Sequence, residues 1–225
     1  MEMTVKVSGL REPENIRAIS ALAGVGIVSF DFRPESDAYV RMLSSFAGFL
    51  PDYSPERRRA MDGRTAVQSK GPLRCGLFAD CMPQDIVTRV YNYSLGAVQL
   101  CGGEGRTMVD NIVATLSPDI RPGVMVFKEV AVDSPGSFAA CREFEGSVSM
   151  FVFRHARGGA LWPLLAHYGG GTPFLVAGVG PGDAWEARRC GHPMFAGCDL
   201  GGAFSTFPGM VSVGLVERFV NDCGT

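Results

Sequence analysis

Short apolar runs closed by turn residues recur along this chain, and each is followed by a stretch with helical spacing. That alternation restricts the fold more than any other feature, because strands buried on both faces need helices to cover them. Val5 to Ser8 is predicted as the first strand, and Pro13-Glu14 opens a helix running to about Leu22, with proline at a tolerated first-turn position. Gly26 to Phe32 is the second strand. The segment 39–71 is polar, carries Pro51 and Pro55, and is expected to hold an irregular second helix and a loop. Leu73 to Ala79 and Ala97 to Leu100 are the third and fourth strands, followed by helices over Pro83 to Tyr93 and Thr107 to Leu116. Val124 to Phe127 is the fifth strand, and Ser134 caps a helix starting at Pro135. Val148 to Phe153 is the sixth, with a short helix over Leu161 to His167. Thr172 to Ala187 reads as strand, glycine turn and helix start; Phe195 to Leu200 is the eighth strand, and Val211 to Asn221 is the last helix. Eight such units predict a (β/α)8 TIM barrel of eight parallel strands, a single domain over residues 1–225.

Composition narrows the function classes. Of the 225 residues 46% are hydrophobic and 20% charged, and the formal net charge is -2, so neither a nucleic-acid partner nor a membrane surface is expected. Arg57-Arg58-Arg59 is read as a solvated helix face. The seven cysteines form no CxxC pair, which fits a reduced cytoplasmic protein better than a disulfide framework or a zinc site. With three histidines, His155, His167 and His192, a histidine metal centre is not expected; no metal and no cofactor are predicted.

In such a barrel the chemistry belongs at the C-terminal strand ends, and phosphate at the loops after strands seven and eight. The alternating glycines Gly178, Gly180 and Gly182, with Pro181 and Asp183 at the following helix start, offer backbone N–H groups and a helix dipole to an anion. Asp199, Gly201 and Gly202 occupy the equivalent place after strand eight. The bland alternative is a loop that is glycine-rich for steric reasons. A phosphorylated small molecule is the expected ligand.

These strand ends resemble the phosphoribosylanthranilate isomerase family of tryptophan biosynthesis, whose reaction is the Amadori rearrangement of an aminoaldose phosphate to an aminoketose. VKVSGLREPENI (5–16) is similar to the family's KVCGL strand and loop, FDFRPESDAYV (30–40) to FxFxPKSPRYV, and CGLFADCMPQDI (75–86) to GVFVN with its helix. AVQLCGGE (97–104) is similar to VQLHGDE, and FVFRHARGG (151–159) to a strand reading FLFDTK. TPFLVAGVGPGDA (172–184) and AGCDLGGAFSTFPGM (196–210) match the seventh- and eighth-strand segments.

The departures fall on the chemistry. Where the resemblance implies a cysteine general base, this chain has Ser8, a hydroxyl far too weak an acid to serve as a preformed base. Where it implies an aspartate general acid, the chain has Arg154, which cannot deliver a proton. Ala38 stands where an arginine helps hold the anthranilate, and Cys101 and Gly103 where the family has histidine and aspartate. The GSGxxFDW loop is shortened to Gly158-Gly159-Ala160-Leu161-Trp162, and DLNSRFE has become Asp199 to Ser205.

Six polar side chains at the strand ends remain to be read. Ser8 is read as a strand-end hydroxyl bonded locally. His155 neighbours Arg154, so only one of the two enters the mouth, and His155 is placed outside. Asp31 in an apolar strand needs a partner, with Arg33 and Arg154 as the candidates; Lys128 and Glu129 are candidates to pair with each other; Cys101 is read as small-residue packing rather than a reactive thiol. Two readings result: a pseudoenzyme that retains phosphate binding, as a homo-oligomer or beside an active paralogue, or an isomerase working through substitutes such as Asp31, His155 or Cys101.

Overall fold

The computed structural model describes residues 3–41, 71–117 and 120–224. The apolar runs become eight strands: β1 (Thr4–Val7), β2 (Val25–Asp31), β3 (Leu73–Phe78), β4 (Ala97–Leu100), β5 (Met125–Val132), β6 (Met150–His155), β7 (Phe174–Val179) and β8 (Phe195–Leu200). Each pairs in parallel with the next, and β8 pairs back onto β1, so the sheet closes into the expected (β/α)8 barrel. At the closing seam the strands approach so closely that a Cβ on Gly197 would run into the Thr4 carbonyl oxygen. Glycine is required there for close approach.

Alternation along the strands builds two apolar layers. Ile27, Cys75, Leu77, Ala97, Phe127, Val152 and Leu175 fill the lower barrel interior. Val5, Val7, Phe30, Val98, Phe151, Phe153 and Phe174 belong to the larger core, which takes in the covering helices. Fully burying one such side chain contributes roughly 1.5–3 kcal/mol. Nearer the strand ends the interior turns polar, with Lys6, Ser29, Asp31, Gln99 and Asp199 all buried. That change from apolar plug to polar mouth is what positions the site.

The cover consists of α1 (Pro13–Ser20), α2 (Pro83–Tyr93), α3 (Arg106–Leu116), α4 (Ala184–Arg189) and α5 (Val213–Cys223). Prolines open α1 and α2 in their first turns, and Ser212 caps α5 by accepting from Leu215 N. The second unit's expected helix lies largely outside the described residues. Among those described, no helix is long and apolar enough to cross a membrane.

Three expectations need correction. The helix expected from Pro135 is a 3₁₀ helix, Pro135–Glu143, and the one expected over Leu161 to His167 is a 3₁₀ helix, Trp162–His167. In the first of them Gly136 and Ser137 in the opening turn disfavour a regular α-helix. The fifth strand extends to Val132, because the charges at Lys128 and Glu129 find partners outside the strand and do not end it. A hairpin of β9 (Ser205–Phe207) and β10 (Met210–Val211) follows β8, in a stretch with no strand signal of its own.

Candidate active site

The strand register decides which side chains reach the mouth. Asp199 is paired with Lys6 across the β8–β1 seam, and Arg154 with Ala177 across β6–β7. With the two-residue period, Lys6, Ser29, Asp31, Gln99, Glu129, Arg154 and Asp199 turn inward.

At the β1 end, Ser8 sits in a four-membered polar cluster. Its Oγ donates to Asp199 Oδ1 (2.5 Å), accepts from Lys6 Nζ (2.8 Å) and lies 2.7 Å from Ser29 Oγ. Lys6 Nζ also bonds Asp199 Oδ2 at 2.6 Å, an ion pair with almost no solvent access. Burial works to strip the Lys6 ammonium of its proton, but the Asp199 carboxylate outweighs it, and the lysine pKa lies above its ordinary value. Ser8 therefore has both a cation and a carboxylate against it.

At the β6 end, Arg154 Nε bonds Glu129 Oε1 on β5 at 2.7 Å. Glu129 Oε2 accepts from Gln99 Nε2 at 3.1 Å, while Gln99 Oε1 is buried with no partner among the described residues. His155 turns away, as expected, and its Nδ1 accepts from Arg157 N. Lys128 does not pair with Glu129. Successive strand residues face opposite sides, and Lys128 instead bonds Glu104 Oε2 (3.0 Å) and the Gly102 carbonyl (2.6 Å).

Asp31 is paired, with Arg33 as its partner. Its Oδ1 accepts from Arg33 Nε (2.9 Å) and Oδ2 from Arg33 Nη2 (2.6 Å). Burial tends to raise the Asp31 pKa, but the hydrogen bonds from Arg33 and Ser36 outweigh it and hold the carboxyl below its ordinary range. Burial, reinforced by Glu129, pushes the Cys101 thiol well above its ordinary pKa, so the thiolate is disfavoured and the side chain acts as packing.

The glycine loops are asymmetric. After β7, Gly178 has a left-handed φ of 77°, and Asp183 holds the N-cap position of α4 without a side-chain capping bond. The Asp183 carboxylate already accepts from Gly180 N at 2.7 Å, so this loop carries its own anion. After β8, Gly201 leads into a single 3₁₀ turn, Gly202–Phe204, whose first N–H groups have no partner within the turn. Open space lies beside Gly178, Gly182, Gly201 and Gly202.

A cavity of about 490 Å3 opens between the β1, β2 and β8 ends and the β9–β10 hairpin. It brings Ser8, Gly201 and Gly202 together with Asp31 and Arg33, whereas Arg154, Asp199, Gly178, Gly180 and Gly182 are not among its lining residues. Sequence reasoning does not single out Lys6, and it reads Glu129 only as a partner for Lys128. The signal for Lys6 was a charge inside an apolar strand, the same reasoning that flagged Asp31. Among the described residues no group of His, Cys, Asp or Glu side chains is arranged to hold a metal ion.

No family model matches the chain. The crystal structure of a phosphoribosyl anthranilate isomerase in complex with reduced 1-(o-carboxyphenylamino)-1-deoxyribulose 5-phosphate shares the fold, with a TM-score of 0.70 at 19% identity over 99% of this chain and 98% of that one. The N-(5'-phosphoribosyl)anthranilate isomerase of Parabacteroides distasonis is 28% identical over 97% of this chain and 92% of its own length. That of Phocaeicola vulgatus is 30% identical over 97% of both. With this identity sustained along nearly the whole of both chains, the protein belongs to the phosphoribosylanthranilate isomerase family.

Proposed function

We propose that this chain is an isomerase-family barrel, one domain over residues 1–225, that holds a phosphorylated small molecule and is impaired in the family's Amadori rearrangement. One observation carries this reading: the three carboxylates that the barrel strands turn inward are each engaged by a cation. Lys6 engages Asp199, Arg33 engages Asp31 and Arg154 engages Glu129. The rearrangement needs a base to take a proton from carbon and an acid to protonate the opening sugar ring. Ser8 stands at the base position as a hydroxyl, and Arg154 at the acid position cannot release its proton. A neighbouring guanidinium stabilises the charged form of a carboxyl and makes it a poor acid.

The phosphate half of the reading rests on backbone groups. Gly201 and Gly202 border the cavity and expose N–H donors, and the related crystal structure noted above holds a phosphosugar analogue. Gly178, Gly180 and Gly182 would complete the cradle if Asp183 released Gly180. The seven free cysteines suit a reducing, cytoplasmic setting. A homo-oligomer, or pairing with an active paralogue, would give such a barrel a role without turnover.

The second reading, an active isomerase with substitute groups, has one observation in its favour: the short Ser8–Asp199 hydrogen bond, which sets a carboxylate directly behind the base position. Transformation of a tryptophan auxotroph lacking the isomerase separates the two. No growth without tryptophan is expected; growth would overturn the impaired reading. Calorimetric titration with ribose 5-phosphate checks the phosphate half, and absence of binding would overturn that half.

A further inference from the structure

We infer that a second cavity, on the outer wall of the barrel, binds an α-amino acid with an aromatic side chain. The cavity, about 540 Å3, lies between the 3₁₀ helix Trp162–His167, helix α4 and the turn leading into β8. It shares no lining residue with the cavity at the mouth, and its volume is ordinary for a small-molecule site. Both tryptophans of the chain line it. Trp162 packs edge-on against Phe195 and is held by the core, while Trp185 is 62% exposed. Two indoles on one cavity wall present flat apolar surface suited to an aromatic ring.

Charge decides the rest of the ligand. Glu186 and Arg189 are the ionised groups on this wall. His192, also on it, has both ring nitrogens engaged, Nε2 donating to the Tyr168 carbonyl and Nδ1 accepting from Met194 N, which keeps the ring neutral. Glu186 and Arg189 stand three positions apart on α4, where opposite charges ordinarily pair. Here they do not. The Arg189 guanidinium lies over the Trp185 ring, 4.5 Å from its centroid, and meets no acceptor among the described residues. Glu186 Oε2 is buried with no hydrogen-bond partner among the described residues. A carboxylate oxygen withdrawn from water without a donor is costly, and an ammonium brought by a ligand offsets that cost. Rotation about the last side-chain bond turns either oxygen toward it. The guanidinium keeps its N–H donors for a carboxylate. One unpaired charge of each sign beside two indoles matches an aromatic zwitterion, whereas a lone cation or a lone anion leaves one wall charge unanswered.

Since the chain has no tryptophan elsewhere, indole fluorescence reports on this cavity alone. The probes are L-phenylalanine, phenethylamine, which lacks the carboxylate, and 3-phenylpropionate, which lacks the ammonium. L-Phenylalanine is expected to change the emission and to bind at least about tenfold tighter than either half-ligand, the scale of one charge-assisted contact. Glu186→Gln should bring L-phenylalanine to within about twofold of 3-phenylpropionate, and Arg189→Met to within about twofold of phenethylamine. Arg189→Lys, which keeps the charge, should retain most of the advantage, and calorimetry checks each affinity without the optical reporter. Half-ligands that bind as tightly as L-phenylalanine, or an advantage that survives both Glu186→Gln and Arg189→Met, would overturn the zwitterion assignment. L-Leucine binding as tightly would overturn the choice of an aromatic side chain. Failure of every probe to bind would overturn the cavity as a ligand site, and would leave the phosphate reading of the mouth untouched.

Discussion

The β1–β6 side of the mouth and the β7–β8 side are built from different kinds of polar group. On the first side the polar groups are side chains, with Ser8 hydrogen-bonded to Asp199 and Arg154 ion-paired with Glu129, where the resemblance implies a thiol and a carboxyl. On the second side the proposed donors are backbone amides, which remain whatever side chain follows them. Gly201 and Gly202 face the cavity. Backbone recognition is robust to sequence change in a way that acid–base chemistry is not. A barrel can therefore lose turnover while its grip on phosphate and its core stay intact.

The contrast can be broken first at the most buried ion pair. Lys6→Met strands Asp199 at the closing seam, and urea unfolding should show a loss of about 3–5 kcal/mol. A loss under about 1 kcal/mol would mean that the β1 network is not what holds this side rigid. The Asp31–Arg33 pair gives a pH signature. Because the folded Asp31 pKa is depressed, its contribution to stability is fully present above the unfolded value of about 3.9 and fades as pH falls through the lower folded value. Denaturation midpoints compared between wild type and Asp31→Asn should differ most near neutrality and converge in acid. A difference that stays constant down to low pH would contradict the assignment.

On the amide side, Asp183→Asn removes the loop's internal anion. It should tighten ribose 5-phosphate binding about fivefold by calorimetry, corresponding to roughly 1 kcal/mol. Unchanged or weaker binding would place the phosphate away from Gly180. The smallest effect is expected at Arg154, whose side chain is 48% exposed. Arg154→Met should move the thermal midpoint by no more than the ~0–1 kcal/mol typical of surface pairs. A larger change would make this pair part of the structural frame.

Much of this was legible in the sequence because it depends on local pattern. Apolar runs and proline starts gave the boundaries of Pro83–Tyr93, Ala97–Leu100 and Phe195–Leu200 residue for residue, and the eightfold repetition gave the barrel. The pairing of Asp31 followed from the cost of burying a lone carboxylate. What depends on contacts distant in sequence was not legible. Asp199 meets Lys6 across 193 positions only once the barrel closes, and Glu104, on the loop between β4 and α3, meets Lys128 only once β4 and β5 pair in parallel. The Asp183 side chain folding back on Gly180 shows a limit of another kind. A glycine loop beside a helix start predicts available donors, but not that a residue three positions on has already taken one.

The most direct measurement is turnover of N-(5'-phosphoribosyl)anthranilate by purified wild-type protein beside the double variant Ser8→Cys with Arg154→Asp. In the variant the aspartate would stand next to Glu129 with no guanidinium, and two adjacent carboxyls favour retention of one proton, as a general acid requires. Restoring both groups is expected to raise kcat/KM at least about 100-fold over a wild type near background. A wild type that already turns over this substrate briskly, and slows when Ser8 and Arg154 are exchanged, would contradict the account.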